Sequence, residues 1–286
     1  MKIAAIQMVS TPRVADNLAS ARRLIGQAAA AGAQLVALPE YFCVMGHSDR
    51  DKLTIAEDDG SGPIQQALAD IAREFGLWVI GGTLPIRCAP GSADAGERVT
   101  NSCCVYDPNG ERIARYDKIH LFRYSNGQEN YDEAKVLRPG SEPVAVDLGA
   151  AAVDQPLRLG LSVCYDLRFP ELYRALSFVP GAPPCDLISV PSAFTFSTGR
   201  AHWELLLRAR AVENQCFVIA PAQGGTHENR RRTWGHSMIV DPWGEILAVQ
   251  AEGEGVVSAD LDMARLAAVR EQLPALSHVG GFGHNG

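Results

Sequence analysis

A cysteine at position 164 stands where a β-strand is expected to turn into a helix. The apolar run 157–163 precedes it, and the segment that follows has helical character. We expect such a thiol to be exposed at the C-terminal edge of a sheet, with a helix N-terminus behind it. That setting lowers the pKa of a thiol and supplies backbone N–H groups to an anion. Cys164 is therefore a candidate nucleophile. A small buried structural thiol is the alternative.

Two charged residues follow dense apolar segments in a similar way. Residues 35–39 lead into Glu40, and the β-rich run 115–122 carries Lys118. In open α/β sheets, residues at the carboxyl ends of strands converge. A carboxylate beside a thiol can accept its proton, and an ammonium group stabilises a thiolate or an oxyanion, with the backbone N–H of Tyr165 as a second donor. Taken alone, each charge is more often a solvated surface residue, and the spacing does not show that the three meet.

The elements that would position these residues alternate along the chain. Strands are predicted over 2–9, 35–38, 77–84, 102–106, 157–163 and 187–191, and helices over 17–31, 63–75 and 202–214. Turn motifs at 107–110 and 241–244 predict hairpins. The polar segment 122–143 is predicted to be a long functional loop. The pattern indicates an α/β fold with a mixed sheet and helices packed on it, in one domain.

The composition excludes several classes of protein. The 286 residues carry a net charge of −7, which argues against binding to nucleic acid or to an anionic membrane surface. The short basic cluster 230–232 is interpreted as a solvated loop, and the opening segment as a first strand instead of a signal peptide. No run is long enough to span a membrane. The seven cysteines lack CxxC spacing, which favours reduced thiols in a cytoplasmic protein without a metal site.

Three segments, 38–41, 116–122 and 162–171, resemble the signature segments of the nitrilase superfamily of carbon–nitrogen hydrolases. The similarity continues in 191–203, 208–214 and 235–244. It implies a four-layer α-β-β-α sandwich with mixed sheets and helices on the outer faces, doubled across a homodimer or higher homo-oligomer. It also implies one carbon–nitrogen hydrolase domain over 1–273, followed by a C-terminal arm or disordered tail at 274–286.

The resemblance implies roles for individual residues. The glutamate–lysine–cysteine triad of the superfamily corresponds to Glu40, Lys118 and Cys164. A second glutamate, Glu133, would order the substrate and support the lysine, and a solvated loop residue is the alternative interpretation of Glu133.

The residues expected to bind the substrate lie in the third signature segment and after the predicted strand 187–191. The candidates are Tyr165, Arg168, Phe194 and Thr195. Arg168 is expected either to pair with Glu171 or to reach the pocket. For residues 194–196, aromatic core packing is the alternative to lining the pocket. Arg200 is a second candidate cation for an anionic substrate, and His202 is interpreted as a packing or subunit-contact residue.

The flanking blocks resemble the branch of the superfamily that hydrolyses deaminated glutathione. This implies an amidase that needs no cofactor and cleaves a small carboxylate-bearing amide through a cysteine thioester. An omega-amidase acting on α-ketoglutaramate or α-ketosuccinamate is the nearest alternative. A true nitrilase, a catalytically silent binding protein and a redox-sensing thiol protein are further alternatives.

Overall fold

The computed structural model describes residues 1–127, 130–149, 156–179 and 181–278. Its strands are β1 (Lys2–Gln7), β2 (Leu35–Ala37), β3 (Trp78–Ile80), β4 (Leu84–Arg87), β5 (Val99–Tyr106), β6 (Arg112–Asp117), β7 (Arg123–Ser125), β8 (Asn130–Asp132), β9 (Val144–Leu148), β10 (Leu157–Leu161), β11 (Leu187–Ser189), β12 (Phe217–Ala220), β13 (Ser237–Val240), β14 (Ile246–Gln250) and β15 (Gly255–Asp260). Its α-helices are α1 (Val14–Ala30), α2 (Asp51–Thr54), α3 (Pro63–Phe75), α4 (Pro170–Ser177), α5 (Phe196–Asn214) and α6 (Met263–Gln272). Short 3₁₀ turns cover Glu133–Lys135, Cys164–Arg168 and Ala275–His278.

The strands of the described ranges form two large mixed sheets and a small hairpin. The first sheet has the order β15-β1-β2-β3-β5-β4, with β6 also paired to β5, and the second has the order β14-β13-β12-β11-β10-β9. Strands β1 to β3 run parallel, as do β10 to β12. Because parallel neighbours end at the same edge of a sheet, the segments after β2 and after β10 each leave from such an edge.

The two sheets pack face to face, and helices cover their outer faces. In β1, Ile3 and Ala5 point into the core between the sheets, whereas Ala4 and Ile6 point into the core beneath α1 and α3. Helices α4 and α5 lie against the second sheet. Burial on both faces explains the nearly unbroken apolar sequence of these strands. The predicted four-layer α-β-β-α sandwich is confirmed.

Two predicted elements differ from the structure. The strand predicted over 77–84 is divided into β3 and β4, and Gly82 between them has φ +57°. A Cβ at Gly82 would collide with the carbonyl oxygen of Pro39, so glycine lets the segment before Glu40 pack closely. Helix α5 starts at Phe196 and not at position 202, because the Thr195 hydroxyl accepts the Thr198 N–H and caps the helix.

The polar segment 122–143 was predicted to be a loop, and this was only partly correct. Strands β7 and β8 pair within it as an antiparallel hairpin, and the turn Glu133–Lys135 follows. Its polar composition concealed the hairpin, since both strands are at least partly exposed. Both predicted hairpins are confirmed, because the turns at 107–110 and 241–244 join β5 to β6 and β13 to β14.

The domain boundary at 273 stays a prediction, and most of the predicted arm, from 279 onward, lies outside the described residues. All seven cysteines carry free thiols. Within the described ranges, no helix combines the length and the apolar character that a membrane crossing requires.

Candidate active site

Glu40 is held between the two sheets. It follows β2 of the first sheet, and its side chain is 1% exposed. Its Oε1 accepts a hydrogen bond of 2.9 Å from Asn101 Nδ2 on β5. Its Oε2 accepts the backbone N–H of Ala193, which follows β11 of the second sheet, at 3.1 Å. A buried carboxylate therefore has a fixed orientation at the junction of both sheets.

Lys118 extends from the end of β6 into the same space. Its backbone N–H continues the pairing with β5 by donating to the carbonyl of Asn101 at 3.0 Å. Its Nζ lies 2.8 Å from Glu40 Oε1 and 2.8 Å from Glu133 Oε2. The ammonium is fully buried and is compensated by two carboxylates, as a buried charge requires.

Glu133 is not a solvated loop residue, because its side chain is 12% exposed. Its Oε2 accepts the backbone N–H of Phe122 at 2.7 Å, and its Oε1 accepts the hydroxyl of Tyr41 at 2.7 Å. The segment that carries it is drawn against β6, where Gly140 donates its N–H to the carbonyl of Lys118 at 2.9 Å. Glu133 therefore fixes Lys118 from the side opposite Glu40.

Cys164 follows β10 and opens a 3₁₀ turn with a left-handed backbone, φ +48°. Its N–H donates to the carbonyl of Pro191 at 3.0 Å. The Glu40 carboxylate and the Lys118 ammonium both act electrostatically on the thiol, and Glu40 and Cys164 line the same pocket. The expectation of an exposed thiol was wrong, since the residue is 7% exposed and is covered by the walls of a pocket.

The geometry brings Glu40, Lys118, Glu133 and Cys164 together, although three of them come from the first-sheet half of the chain and Cys164 from the second. Asp166, to which the sequence analysis gave no role, ties the two halves. Its buried carboxylate accepts hydrogen bonds from the Val163 N–H at 2.8 Å, the Tyr116 hydroxyl at 2.7 Å and the His120 N–H at 3.0 Å. The sequence signal for this role was an acidic residue at the third position of the turn that begins at Cys164. At this position a side chain can cap the turn by accepting a backbone N–H.

The pKa of the Cys164 thiol moves in the direction opposite to the sequence-based prediction. Burial, and after it the Glu40 carboxylate, raise the pKa well above its usual range, against the opposing effect of Lys118. Burial disfavours the charged form of an acid because it removes hydrating water. The resting thiol is therefore neutral, and a nucleophilic role would require a base to take its proton as the sulfur attacks.

The lysine and the second glutamate remain charged. Burial acts to lower the pKa of Lys118, but the carboxylates of Glu133 and Glu40 outweigh it and raise that pKa above its ordinary value. Burial likewise acts to raise the pKa of Glu133, and the Lys118 ammonium outweighs it and keeps that pKa below its ordinary value. The site thus holds a permanent cation next to the thiol.

A pocket opens above the thiol, with about 280 Å³ of empty space, part of which is open to solvent. It is lined by Glu40, Phe122, Glu133, Cys164, Tyr165, Arg168, Ala193, Phe194, Thr195, Thr198 and Arg231. All four candidate substrate-binding residues are in this set. Phe196 is not, because its ring packs on Trp234 at 5.1 Å.

Arg168 reaches the pocket instead of pairing with Glu171, which is exposed. Its guanidinium lies 5.3 Å from the ring centre of Phe194 and contacts His202 Nδ1 at 3.2 Å. His202 therefore packs on a pocket residue within this chain. Arg200 is exposed and does not line the pocket.

Arg231 lines the pocket, so the interpretation of the basic cluster as a solvated loop was wrong for this residue. Its Nη2 donates to the carbonyl of Ala193 at 2.9 Å. Thr198, on the first turn of α5, was also missed. The sequence carried no signal that distinguishes Arg231 from its two neighbours, because its side chain contacts residues that are distant along the chain.

The comparison with known proteins decides the family. Residues 2–271 match the family described as carbon-nitrogen hydrolase. The chain belongs to the carbon–nitrogen hydrolases. It is 41% identical over 277 residues to a deaminated glutathione amidase of Synechocystis sp., covering 96% of each chain. It is 36% identical to the omega-amidase NIT2 of Homo sapiens, covering 96% of this chain and 92% of that one.

The fold of this carbon–nitrogen hydrolase is shared with solved structures. The NitFhit protein of C. elegans superposes with a TM-score of 0.84 at 35% identity. The match covers 97% of this chain and 64% of the longer NitFhit chain. The resemblance to the nitrilase superfamily, the fold class and the enzyme class are thereby confirmed.

His227 gives the stability of this carbon–nitrogen hydrolase a pH dependence. Its Nδ1 contacts the carbonyl of Ser10 at 2.9 Å, its Nε2 contacts Thr233 Oγ1 at 2.8 Å, and burial lowers its pKa from 6.5 to about 4. The unfolded chain binds a proton below pH 6.5, whereas the folded chain binds it only below pH 4. The free energy of unfolding should therefore fall by about 3 kcal/mol from this group as pH drops through that window.

Urea denaturation of the natural chain and of His227→Gln at pH 7 and pH 4 measures this effect. The variant should lose less stability than the natural chain, and His278→Gln, at an exposed histidine, should behave like the natural chain. If the natural chain and His227→Gln lost the same free energy of unfolding between pH 7 and pH 4, this would contradict a buried, neutral His227.

Proposed function

We propose that this chain is a thiol-dependent amidase that hydrolyses a small carboxylate-bearing amide, of the deaminated glutathione type, through a thioester on Cys164. One observation carries the proposal: the Glu40 carboxylate pairs with the Lys118 ammonium at 2.8 Å and lines the same pocket as Cys164. A base, a cation and a nucleophile at one pocket are the parts that acyl transfer needs.

In the first half of the reaction, Glu40 accepts the thiol proton while the sulfur attacks the amide carbonyl. The raised pKa of the Cys164 thiol makes this base necessary. The Lys118 ammonium and the Tyr165 backbone N–H donate to the oxyanion of the tetrahedral intermediate. Glu40 then gives its proton to the nitrogen, the C–N bond breaks, and the amine or ammonia departs from the thioester.

In the second half, Glu40 removes a proton from water, which attacks the thioester carbonyl. The C–S bond breaks, the proton returns to the sulfur and the acid product leaves. Glu133 takes no proton in this scheme. Its carboxylate holds the Lys118 ammonium in place through the 2.8 Å contact, and none of these steps requires a cofactor.

The pocket supports an anionic acyl group. Arg168 presents a guanidinium beside the Phe194 ring, and guanidinium groups bind carboxylates through paired N–H donors. The deaminated glutathione amidase of Synechocystis sp. is more similar to this chain than the omega-amidase NIT2, which favours the first substrate class. An omega-amidase activity is the second candidate, since its substrates also carry a carboxylate.

A screen for released ammonia and primary amine tests the proposal. The substrates are deaminated glutathione, α-ketoglutaramate and glutamine, and the control is the Cys164→Ala variant. We expect cleavage of deaminated glutathione with the highest kcat/KM. A preference for α-ketoglutaramate would favour the omega-amidase, and inactivity on all three would contradict the proposal.

We further propose that the chain forms a homodimer. Leu205 and Val212 on α5 and Trp243 in the neighbouring turn are 68%, 48% and 50% exposed. Arg208 draws α5 against that turn by donating to the carbonyl of Gly244 at 2.8 Å, which makes the apolar surface continuous. Large exposed apolar patches of this kind are typical of interfaces.

Sedimentation equilibrium should therefore give twice the chain mass at micromolar concentration. A Leu205→Glu variant should raise the dissociation constant at least about tenfold, because it places an unpaired charge in the interface. Ala19→Glu, on the exposed face of α1, should leave the mass unchanged. A natural chain that sediments as a monomer would contradict the dimer.

The free thiols support a cytoplasmic location, which cell fractionation tests.

A further inference from the structure

A cationic groove opens beside the pocket of the thiol. Its lining contains the cations Lys52, Arg230, Arg231 and Arg232, and one carboxylate, Asp49. The chain as a whole carries a net charge of −7, so this positive surface is a local departure from an acidic protein. Such a surface concentrates and orients anions.

Arg231 belongs to both the groove and the pocket. Its Nη2 donates to the carbonyl of Ala193, whose N–H binds Glu40, and its guanidinium lies 5.2 Å from the ring centre of Tyr131 in the groove. Arg231 is half-buried, so its charge lies at the boundary between the two spaces. Guanidinium groups bind carboxylates through their N–H donors.

Further contacts join residues of the pocket to residues of the groove. The Tyr41 ring lies under Lys52 in the groove, 4.7 Å from its Nζ, while the Tyr41 hydroxyl donates to Glu133 in the pocket. The ring of Phe122 in the pocket lies 5.7 Å from that of Tyr131 in the groove. The groove and the pocket of the thiol are therefore adjacent, with Arg231 lining both.

Some of the cations in the groove are already neutralised. Lys52 pairs with Asp49 at 2.6 Å, and Arg232 pairs with Glu252 at 3.0 Å while stacking on Phe196. Within the described ranges, Arg230 and Arg231 have no carboxylate partner. These two guanidinium groups are left for a ligand.

We propose that the groove binds the amine half of the substrate through a carboxylate on that half. This inference rests on the proposed function and adds to it a subsite at Arg230 and Arg231 for the carboxylate of the leaving peptide. The thioester forms on Cys164, so the acyl half occupies the pocket of the thiol. The amine half then lies toward the adjacent groove until Glu40 has protonated it and it departs. Ammonia would use none of these contacts.

Three amides with the same α-keto diacid acyl group test the proposal. They are the primary amide, the amide of cysteinylglycine, and the same peptide amide with its terminal carboxylate converted to a carboxamide. For the natural chain, kcat/KM of the carboxylate form should exceed that of the carboxamide form at least about tenfold, mainly through KM. Arg231→Gln should reduce this ratio to about two or less, and Arg230→Gln should reduce it partly.

Arg200→Gln is the matched control, because it removes the same charge from the surface outside the groove and should keep the natural ratio. A ratio near one in the natural chain would overturn the groove assignment even if all three amides were cleaved. That result would leave the proposed amidase standing, whereas failure to cleave any of the three would overturn the amidase itself. If Arg231→Gln does not fold, the ratio of kcat/KM for the carboxylate and carboxamide forms, measured in the natural chain and in Arg230→Gln, still tests the groove assignment.

Discussion

Cys164→Ala should abolish amide hydrolysis while the chain stays folded. We expect kcat to fall by on the order of 10⁴-fold or more, because the covalent route to the product is removed and no other described thiol lines the pocket. The change deletes one sulfur atom at a buried site, so the free energy of unfolding should change by only about 1 kcal/mol. Single-turnover assays with deaminated glutathione, together with urea denaturation, measure both quantities.

A second cysteine supplies the control for this prediction. Cys216 is fully buried in the core of the second sheet and does not line the pocket, so Cys216→Ala should retain most of the activity. In the natural chain, mass spectrometry after rapid acid quench should find the acyl group on Cys164. Turnover by Cys164→Ala within a hundredfold of the natural rate would refute the nucleophile.

Lys118→Met should lower both stability and activity. The change leaves the carboxylates of Glu40 and Glu133 buried without the cation that lies 2.8 Å from each. Removing one partner of a buried ion pair costs about 3–5 kcal/mol. The loss of an oxyanion donor should in addition lower kcat by about 10²–10³-fold. Urea denaturation and steady-state kinetics at pH 7 measure the two effects.

A compensating change separates the two effects. Lys118→Met combined with Glu133→Gln removes one of the uncompensated charges and should recover part of the stability without recovering activity. Lys135→Met, at an exposed lysine two residues beyond Glu133, should change stability by less than about 0.5 kcal/mol. An unchanged urea midpoint for Lys118→Met would contradict the stabilisation of the buried Glu40 and Glu133 carboxylates by the Lys118 ammonium.

The sequence was sufficient to identify the candidates that lie at strand ends, but not to show that they meet. Glu40, Lys118 and Cys164 each follow a strand, yet β6 is antiparallel to its neighbour and β10 belongs to the other sheet, so the packing of the two sheets brings them together. The family resemblance added Glu133, whose local composition is that of an exposed loop. The fold class followed from the same alternation of strands and helices.

The environment of these residues could not be read from the sequence, because it depends on distant contacts. The direction of the pKa shift of Cys164 was predicted wrongly, since local position suggested an exposed thiol and the folded chain buries it against Glu40. Arg231 differs from Arg230 and Arg232 only through its contacts with Ala193 and Tyr131, which are far along the chain. No pattern within a run of three arginines encodes that difference.

Under the proposed mechanism, the division of the site between two sheets makes catalysis an all-or-none property of the fold. The proposed base Glu40 and cation Lys118 belong to the first half of the chain, the proposed nucleophile Cys164 belongs to the second, and the hydrogen bond from Ala193 to Glu40 joins them across the junction. A chain in which either half had folded alone would have the thiol without this base, or the base without the thiol. We therefore expect a nascent or partly unfolded molecule to be chemically silent toward amides until the two sheets dock.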